Sequence, residues 1–236
     1  MFSDKIISSF SSSLYAFIPR HVGNRTVYVA YELLRKVQRM AKKNYGDHMP
    51  ANEAAFQKHL ISLRRSNGYI EDQMNYMDLS YGKSTLQSAG CGIIAVYNIL
   101  THLGCPQSLP QIISAFEKDG LCLDGKWGTS PGAIRDNLIR CGLTVRLSVR
   151  REEYGALAED SQGIIRTVYN DKNDIRQQLH TIAVTRENGQ YTAHNVSCDG
   201  QITPPHPTLD ALLTAINGGR AAGIVLIGIK NKAAVF

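Results

Sequence analysis

The stretch YGKSTLQSAGCG, Tyr81 to Gly92, carries the marks of two chemistries side by side. Gly82-Lys83-Ser84-Thr85 has the form of the end of a phosphate-binding loop. Gln87, followed by a glycine-flanked Cys91, has the form of an amide donor beside a thiol nucleophile. A phosphate loop needs a buried strand and a glycine five positions before the one that precedes the lysine, so that backbone amides can wrap the phosphates. That position is Met77, and the preceding DQMNYMDLS is neither apolar nor β-branched. A helix begun after Lys83 would also hold Gly90 and Gly92 inside it, at about 1 kcal/mol each. We therefore read GKST as an accidental match and expect no nucleotide site.

The thiol half meets its chemical requirements better. A nucleophilic cysteine needs a lowered pKa, a base, and donors for the oxyanion that forms on the attacked carbonyl. The run SAGCGIIAVYNILTHLG places Cys91 at the first turn of a helix, where unpaired amides and the helix dipole favour thiolate. Ile93, Ile94, Val96, Tyr97, Ile99 and Leu100 make that helix apolar nearly all round, so it is expected to be buried with the thiol at its tip. Gly90 and Gly92 are expected to let a substrate approach the backbone. The Gln87 side chain and the Cys91 backbone N–H are the expected oxyanion donors.

The base is expected to be His180, which opens the strand pattern HTIAVT. Asn188-Gly189 is a strong signal for a two-residue hairpin, and it fixes a register. With Glu187 opposite Gln190, Val184 faces Ala193 and Ile182 faces Asn195. His180 and Asn195 then project from one face as diagonal neighbours, and the Asn195 amide is the expected orienting group. Asp199 is the reserve for that role. The same parity sends His194 to the other face. The remaining cysteines, Cys105, Cys122, Cys141 and Cys198, are read as small apolar fillers. A zinc site from Cys91, His180, His194 and Cys198 conflicts with the hairpin parity and matches no common ligand spacing, so neither metal nor cofactor is expected.

Positioning these groups requires helices first and strands later. Leu109–Lys118 reads as a helix, and GTSPGAIRDNLIRCG carries Ser130 as N-cap, Pro131 at the first helical position and Gly142 just past the end. Strand patterns follow at LTVRLSV, GIIRTVY, HTIAVT, QYTAHNV and AAGIVLIGI, with a helix over Leu209–Ile216 before the last. This order predicts an α+β domain with a mostly antiparallel sheet over residues 76–236, preceded by a helical extension over 1–75. In the extension, Val27, Ala30, Tyr31, Leu34, Val37 and Ala41 fall on one helical face. Arg35, Lys36, Arg39, Lys42 and Lys43 populate the other. Asn52 is expected to cap a second helix ending near Arg65, and a soft boundary is expected between residues 66 and 80.

The 236 residues carry a net charge of +6, but 11 Lys/Arg against 4 Asp/Glu lie in residues 1–65 and 15 against 16 in the rest. The basic helix face is expected either to remain solvated or to dock on an anionic membrane surface or an acidic protein. Basic residues are not interleaved with aromatics through a folded module, so no specific nucleic-acid partner is expected. Five cysteines without a CxxC pair fit reduced thiols, and no apolar run is long enough to span a bilayer. The N-terminus makes a poor secretory signal. The expected location is the cytoplasm, or outside it by a route without a conventional signal.

The segment LQSAGCGIIAVYNIL resembles the nucleophile helix of papain-like cysteine peptidases. It is nearest the compact branch that processes bacteriocin (double-glycine) leaders, with Gln87, Cys91-Gly92, Ala95 and Asn98 at the recurring positions. DGKWGTSPGAIRDNLIRCGL and GIIRTVYNDKNDIRQQLHTIAVTRENGQYTAHNV are similar to the segments of that branch flanking its active site. The resemblance covers roughly residues 80–230. It implies a peptide or protein substrate, with Cys91 as nucleophile, His180 as general base, Asn195 as orienting residue and Gln87 as oxyanion donor. Two features depart from the pattern. Cys91 and His180 are 89 residues apart, against ~130 or more in papain, and the third member is Asn where the branch usually has Asp. The same residues also fit an acyltransferase or deamidating effector, or a binding module that has lost activity. For the first 65 residues the resemblance suggests a cleft-blocking prosegment, with a targeting or docking extension as the other reading.

Overall fold

The apolar run that follows Cys91 becomes the central helix, and the rest of the chain is arranged around it. The structure is a computed structural model and describes residues 22–41, 45, 47–169, 179–196, 201–217 and 223–232. Lys42, Lys43, Cys198 and Asp199 lie outside the described residues. The helices described are α1 (Asn24–Met40), α2 (Met49–Arg65), α3 (Leu86–Ala89), α4 (Cys91–His102), α5 (Leu109–Asp119), α6 (Pro131–Arg140), α7 (Tyr154–Glu159) and α8 (Leu209–Asn217). The strands are β1 (Ser80–Tyr81), β2 (Ser84–Thr85), β3 (Thr144–Ser148), β4 (Gly163–Tyr169), β5 (Leu179–Glu187), β6 (Gln190–His194) and β7 (Val225–Lys230).

Strands β3 to β7 form one sheet in the order β3-β7-β4-β5-β6, antiparallel throughout. The architecture is α+β, as the order of patterns predicts. Burial explains the sheet's place. Every residue of β4 is buried, which is what a central strand covered on both faces requires. On one face α4 packs Ile93, Ile94, Ala95, Val96, Ile99 and Leu100 into the larger core with Ile165, Ala183 and Ile227. On the other face Ile164, Ile182, Val184 and Ala193 pack with Leu157 of α7 and Leu212 of α8. The α6 boundaries follow their capping chemistry: Ser130 Oγ accepts from the Ala133 N–H, and Gly142 takes a left-handed φ of 86° just past the end.

GKST forms the tight β1–β2 hairpin, in which Gly82 N–H donates to Glu117 Oε1 and Lys83 N–H to the Asp124 carbonyl. One expected cap needs correction. Asn52 is no cap. It lies inside α2, buried, where its amide accepts from Ser80 N–H and donates to the Ser80 carbonyl. Within the stretch 66–80, Ile70 is held in place. Asn98 of α4 clamps Ile70 in the same two-way manner, accepting from its N–H at 2.8 Å and donating to its carbonyl at 2.9 Å. We call residues 70–76 the strap.

The first helix is also turned from its expected orientation. Val27 and Tyr31 face inward together with Arg35, whereas Val29, Leu33, Val37 and Met40 are exposed. Arg35 is therefore not part of an outward basic face. Its guanidinium reaches Glu32, Asp119 and Asp136. An arginine fork surrounded by three carboxylates can be buried because its charge and donors are matched. Val27, Tyr31, Ala55, Phe56 and Leu63 belong to the same core cluster as α4, so α1 and α2 are built into the fold. Arg35→Ala should cost about 2 kcal/mol, below the usual figure for a fully buried pair because the carboxylates are part-exposed and Arg39, Arg140 and Arg135 still pair with Asp119 and Asp136. Chemical denaturation measures the loss, and a stability equal to wild type would refute this account of the cluster.

Candidate active site

Two consecutive short helices set the position of Cys91. Helix α3 ends at Ala89, Gly90 N–H closes onto the Leu86 carbonyl, and α4 begins at once with Cys91. A Cβ on Gly90 would lie 2.5 Å from the Leu86 carbonyl oxygen, and one on Gly92 would lie 3.0 Å from Thr129 Cβ. Gly90 is therefore required where α3 passes into α4, whereas a side chain at Gly92 would need Thr129 to give by a few tenths of an ångström. Cys91 is left partly exposed on the wall of a cavity of about 270 Å³, with its N–H in the unpaired first turn of α4. The same cavity is lined by His180 and Thr181 of β5, Gln73 of the strap, Tyr31 of α1, and Trp127.

The hairpin brings His180 into place. Asn188 and Gly189 both have positive φ, 51° and 77°, and the register pairs Glu187 with Gln190 and Val184 with Ala193. This is the register expected from Asn-Gly. The Cys91 thiol shares the cavity wall with His180 and Thr181, whose polar groups act on its titration. Burial alone would raise the thiol pKa, but the His180 and Thr181 contacts outweigh it and hold Cys91 below the ordinary cysteine value. Burial would likewise depress His180, yet the thiol and the Asn195 carbonyl move it above the ordinary histidine value. The two shifts favour thiolate and imidazolium together. Cys122 behaves oppositely, pushed up by burial to about 12, and burial also raises Cys105 and Cys141. Among the described cysteines with a shifted pKa, Cys91 is the one that is lowered.

The third and fourth expected residues are near this pair but placed differently. His180 Nε2–H donates to the backbone carbonyl of Asn195 at 2.7 Å, which leaves Nδ1 as the nitrogen available to the thiol proton. The Asn195 side chain does not touch His180. Strand β6 ends at His194, and Asn195 turns into the left-handed region with φ 58°. That turn presents its carbonyl to the imidazole and sends its amide to the strap, where Oδ1 accepts from Gln73 N–H and Nδ2 donates to Gln73 Oε1, each at 3.0 Å. Gln87 is also diverted: its side-chain amide donates to the Met74 carbonyl at 3.0 Å, and Gln87 is not on the cavity wall. Gln73 is on that wall, with one amide N–H given to the Gln87 carbonyl at 2.8 Å.

Sequence reasoning missed Gln73, Thr181 and Tyr31. Gln73 lies in the polar run EDQMN, which has no periodicity to place it. Tyr31 was legible as a core residue of α1 but not as a cavity wall. Its phenol is raised far above the ordinary value by burial and then by the nearby thiols, so it stays neutral there. His194, paired with Ala183 in the β5–β6 register, is not on the cavity wall. Its Nδ1–H donates to Glu71 Oε1 at 2.7 Å, its Nε2 accepts from the Thr185 hydroxyl at 3.0 Å, and Tyr69 stacks on it. Among the described residues no cluster of three or more His, Cys, Asp or Glu side chains could hold a metal ion. No helix among them is long and apolar enough to cross a membrane.

Comparison of the sequence with protein-family models and with curated proteins returns no match. Among solved structures, the chain is similar to the peptidase domain of Streptococcus ComA, a bi-functional ABC transporter involved in a quorum-sensing pathway. The TM-score is 0.42 at 13% identity, covering 60% of this chain and 91% of that one.

Proposed function

We propose that the protein is a papain-like thiol hydrolase of peptide or amide bonds, with Cys91 as nucleophile and His180 as its base. The observation that carries this reading is the paired shift, Cys91 lowered and His180 raised, at a helix N-terminus on a cavity wall. In this mechanism His180 Nδ1 takes the Cys91 proton and the thiolate attacks the carbonyl carbon. The oxyanion is met by the Cys91 N–H at the start of α4. Collapse breaks the C–N bond, the imidazolium gives its proton to the leaving amine, and water activated by the neutral imidazole releases the acyl group. Asn195 orients the imidazole through its backbone carbonyl, donated to by Nε2–H.

The second oxyanion donor in this reading is the Gln73 side chain, which is on the cavity wall and has an amide N–H beyond the one given to Gln87. Gln73→Ala should lower kcat by about 10²-fold with little change in KM, within the range for loss of one oxyanion donor. Gln87→Ala should lower it much less. Steady-state kinetics on a peptide substrate checks the order, and a larger loss for Gln87→Ala would return the role to Gln87.

The primary test is the rate of Cys91 alkylation by iodoacetamide from pH 4 to 9, followed by mass-spectrometric screening of peptide libraries. A thiolate persisting below the free-cysteine range, with cleaved peptides as products, supports the reading. An ordinary thiol removes it. Products carrying a new amide or a deamidated glutamine would redirect the same residues to acyl transfer or deamidation.

A further inference from the structure

We infer that Glu71 is a positioning residue for His180, acting through the main chain of Asn195. This rests on the hydrolase reading. His180 is oriented by a backbone carbonyl, and a carbonyl can orient a base only as well as its own residue is fixed. Asn195 needs fixing, because a left-handed φ of 58° is sparsely populated for a residue other than glycine and persists where surrounding contacts over-determine it.

The strap supplies those contacts. Glu71 Oε2 accepts from the Asn195 N–H at 3.2 Å while Oε1 meets His194 Nδ1 at 2.7 Å. One carboxylate therefore holds two successive residues at the end of β6. It is nearly buried, with 9% of its side chain exposed against 5% for His194, so water does not readily replace it. Gln73 holds the Asn195 side chain from the same strap. The strap is itself fixed by Asn98 from the nucleophile's own helix. Nucleophile and base are thus tied to one short segment that belongs to neither of their elements. The acidic member that the resemblance leads one to seek after β6 is, on this account, supplied before α4.

The arrangement separates two roles for Asn195. If its side chain orients His180, removing that side chain should abolish the thiolate. If its carbonyl does so, held by Glu71, then Asn195→Gly keeps the carbonyl, the N–H and an allowed φ. The experiment measures the pH midpoint of Cys91 alkylation and the titration of ¹³C-labelled His180 in the full chain, for wild type, Glu71→Ala, Glu71→Gln and Asn195→Gly, with circular dichroism as a folding control. Glu71→Ala should lower alkylation at pH 6 about tenfold and move the His180 midpoint down. Glu71→Gln, which keeps an acceptor for the Asn195 N–H, should recover most of the loss. Asn195→Gly should lose about threefold, because only the Gln73 contacts disappear. A tenfold or greater loss in a folded Asn195→Gly, or a folded Glu71→Ala with wild-type midpoints, overturns the proposal while leaving the hydrolase reading intact. If Glu71→Ala does not fold, the order of Glu71→Gln and Asn195→Gly decides. An ordinary wild-type thiol overturns both readings.

Discussion

His180→Ala is expected to move Cys91 alkylation at pH 6 down by one to two orders of magnitude and to abolish measurable peptide hydrolysis. Two opposing influences act on the thiol. Burial disfavours thiolate, and the His180 and Thr181 contacts favour it strongly enough to leave the pKa below the ordinary value. Removing the imidazole leaves burial and the Thr181 contacts, so the thiol returns toward the ordinary range. A free cysteine of pKa about 8.5 holds roughly 0.3% thiolate at pH 6, which bounds the loss. The sign of the pH dependence follows from the same pair. Activity should rise with pH through the lowered Cys91 value, and fall again only above the ordinary histidine range, because His180 holds its proton longer than a free imidazole. A bell with its alkaline limb at or below about 6.5 would contradict the pairing. Hydrolysis should fall by ~10³-fold or more in either Cys91→Ala or His180→Ala, and the double variant should lose little beyond the larger single loss, because the two act as a unit.

The elements that carry a strong local signal were legible in the sequence. Asn188-Gly189 fixes the β5–β6 register, Ser130-Pro131 and Gly142 bracket α6, and the apolar run after Cys91 gives α4. These signals placed Cys91 at a helix start and His180 on the strand before the turn, because helix starts and turns are local properties. What was not legible depends on contacts distant in sequence. The Asn195 side chain was expected to face His180, but the left-handed turn that presents the carbonyl instead is held by Glu71 and Gln73, more than 120 residues away. Gln87 was chosen because it is near Cys91 in sequence, yet the strap brings Gln73 to the cavity wall and occupies Gln87 with Met74. Arg35 was misassigned for a related reason. Its carboxylate partners on α5 and α6 make burial tolerable, and helical periodicity alone turns any arginine outward.

The strap's dependence on one buried amide gives the largest expected stability effect. Asn98→Asp is nearly isosteric, and it preserves the acceptor facing Ile70 N–H while placing a second oxygen against the Ile70 carbonyl. Asn98 has no exposed surface, so the new group meets both oxygen–oxygen repulsion and the cost of a buried charge. Together these should destabilise the protein by about 4 kcal/mol near neutral pH, a fall in Tm of roughly 10 °C for a domain of this size. The effect carries a signature that a generic core defect lacks. Protonated, the new carboxyl can donate to the Ile70 carbonyl and restore both bonds, so its pKa in the folded state should be raised. The folded state then binds more protons than the unfolded one above the unfolded carboxyl value, and stability falls as pH rises toward the folded value. The deficit of Asn98→Asp relative to wild type should therefore shrink between pH 7 and pH 4, whereas that of Asn98→Ala, which loses both bonds at every pH, should stay constant. Urea titrations at the two pH values measure this difference. Equal deficits for the two variants at both pH values would mean that Asn98 contributes by filling space, and that the strap is held by Glu71 and Gln73 without it.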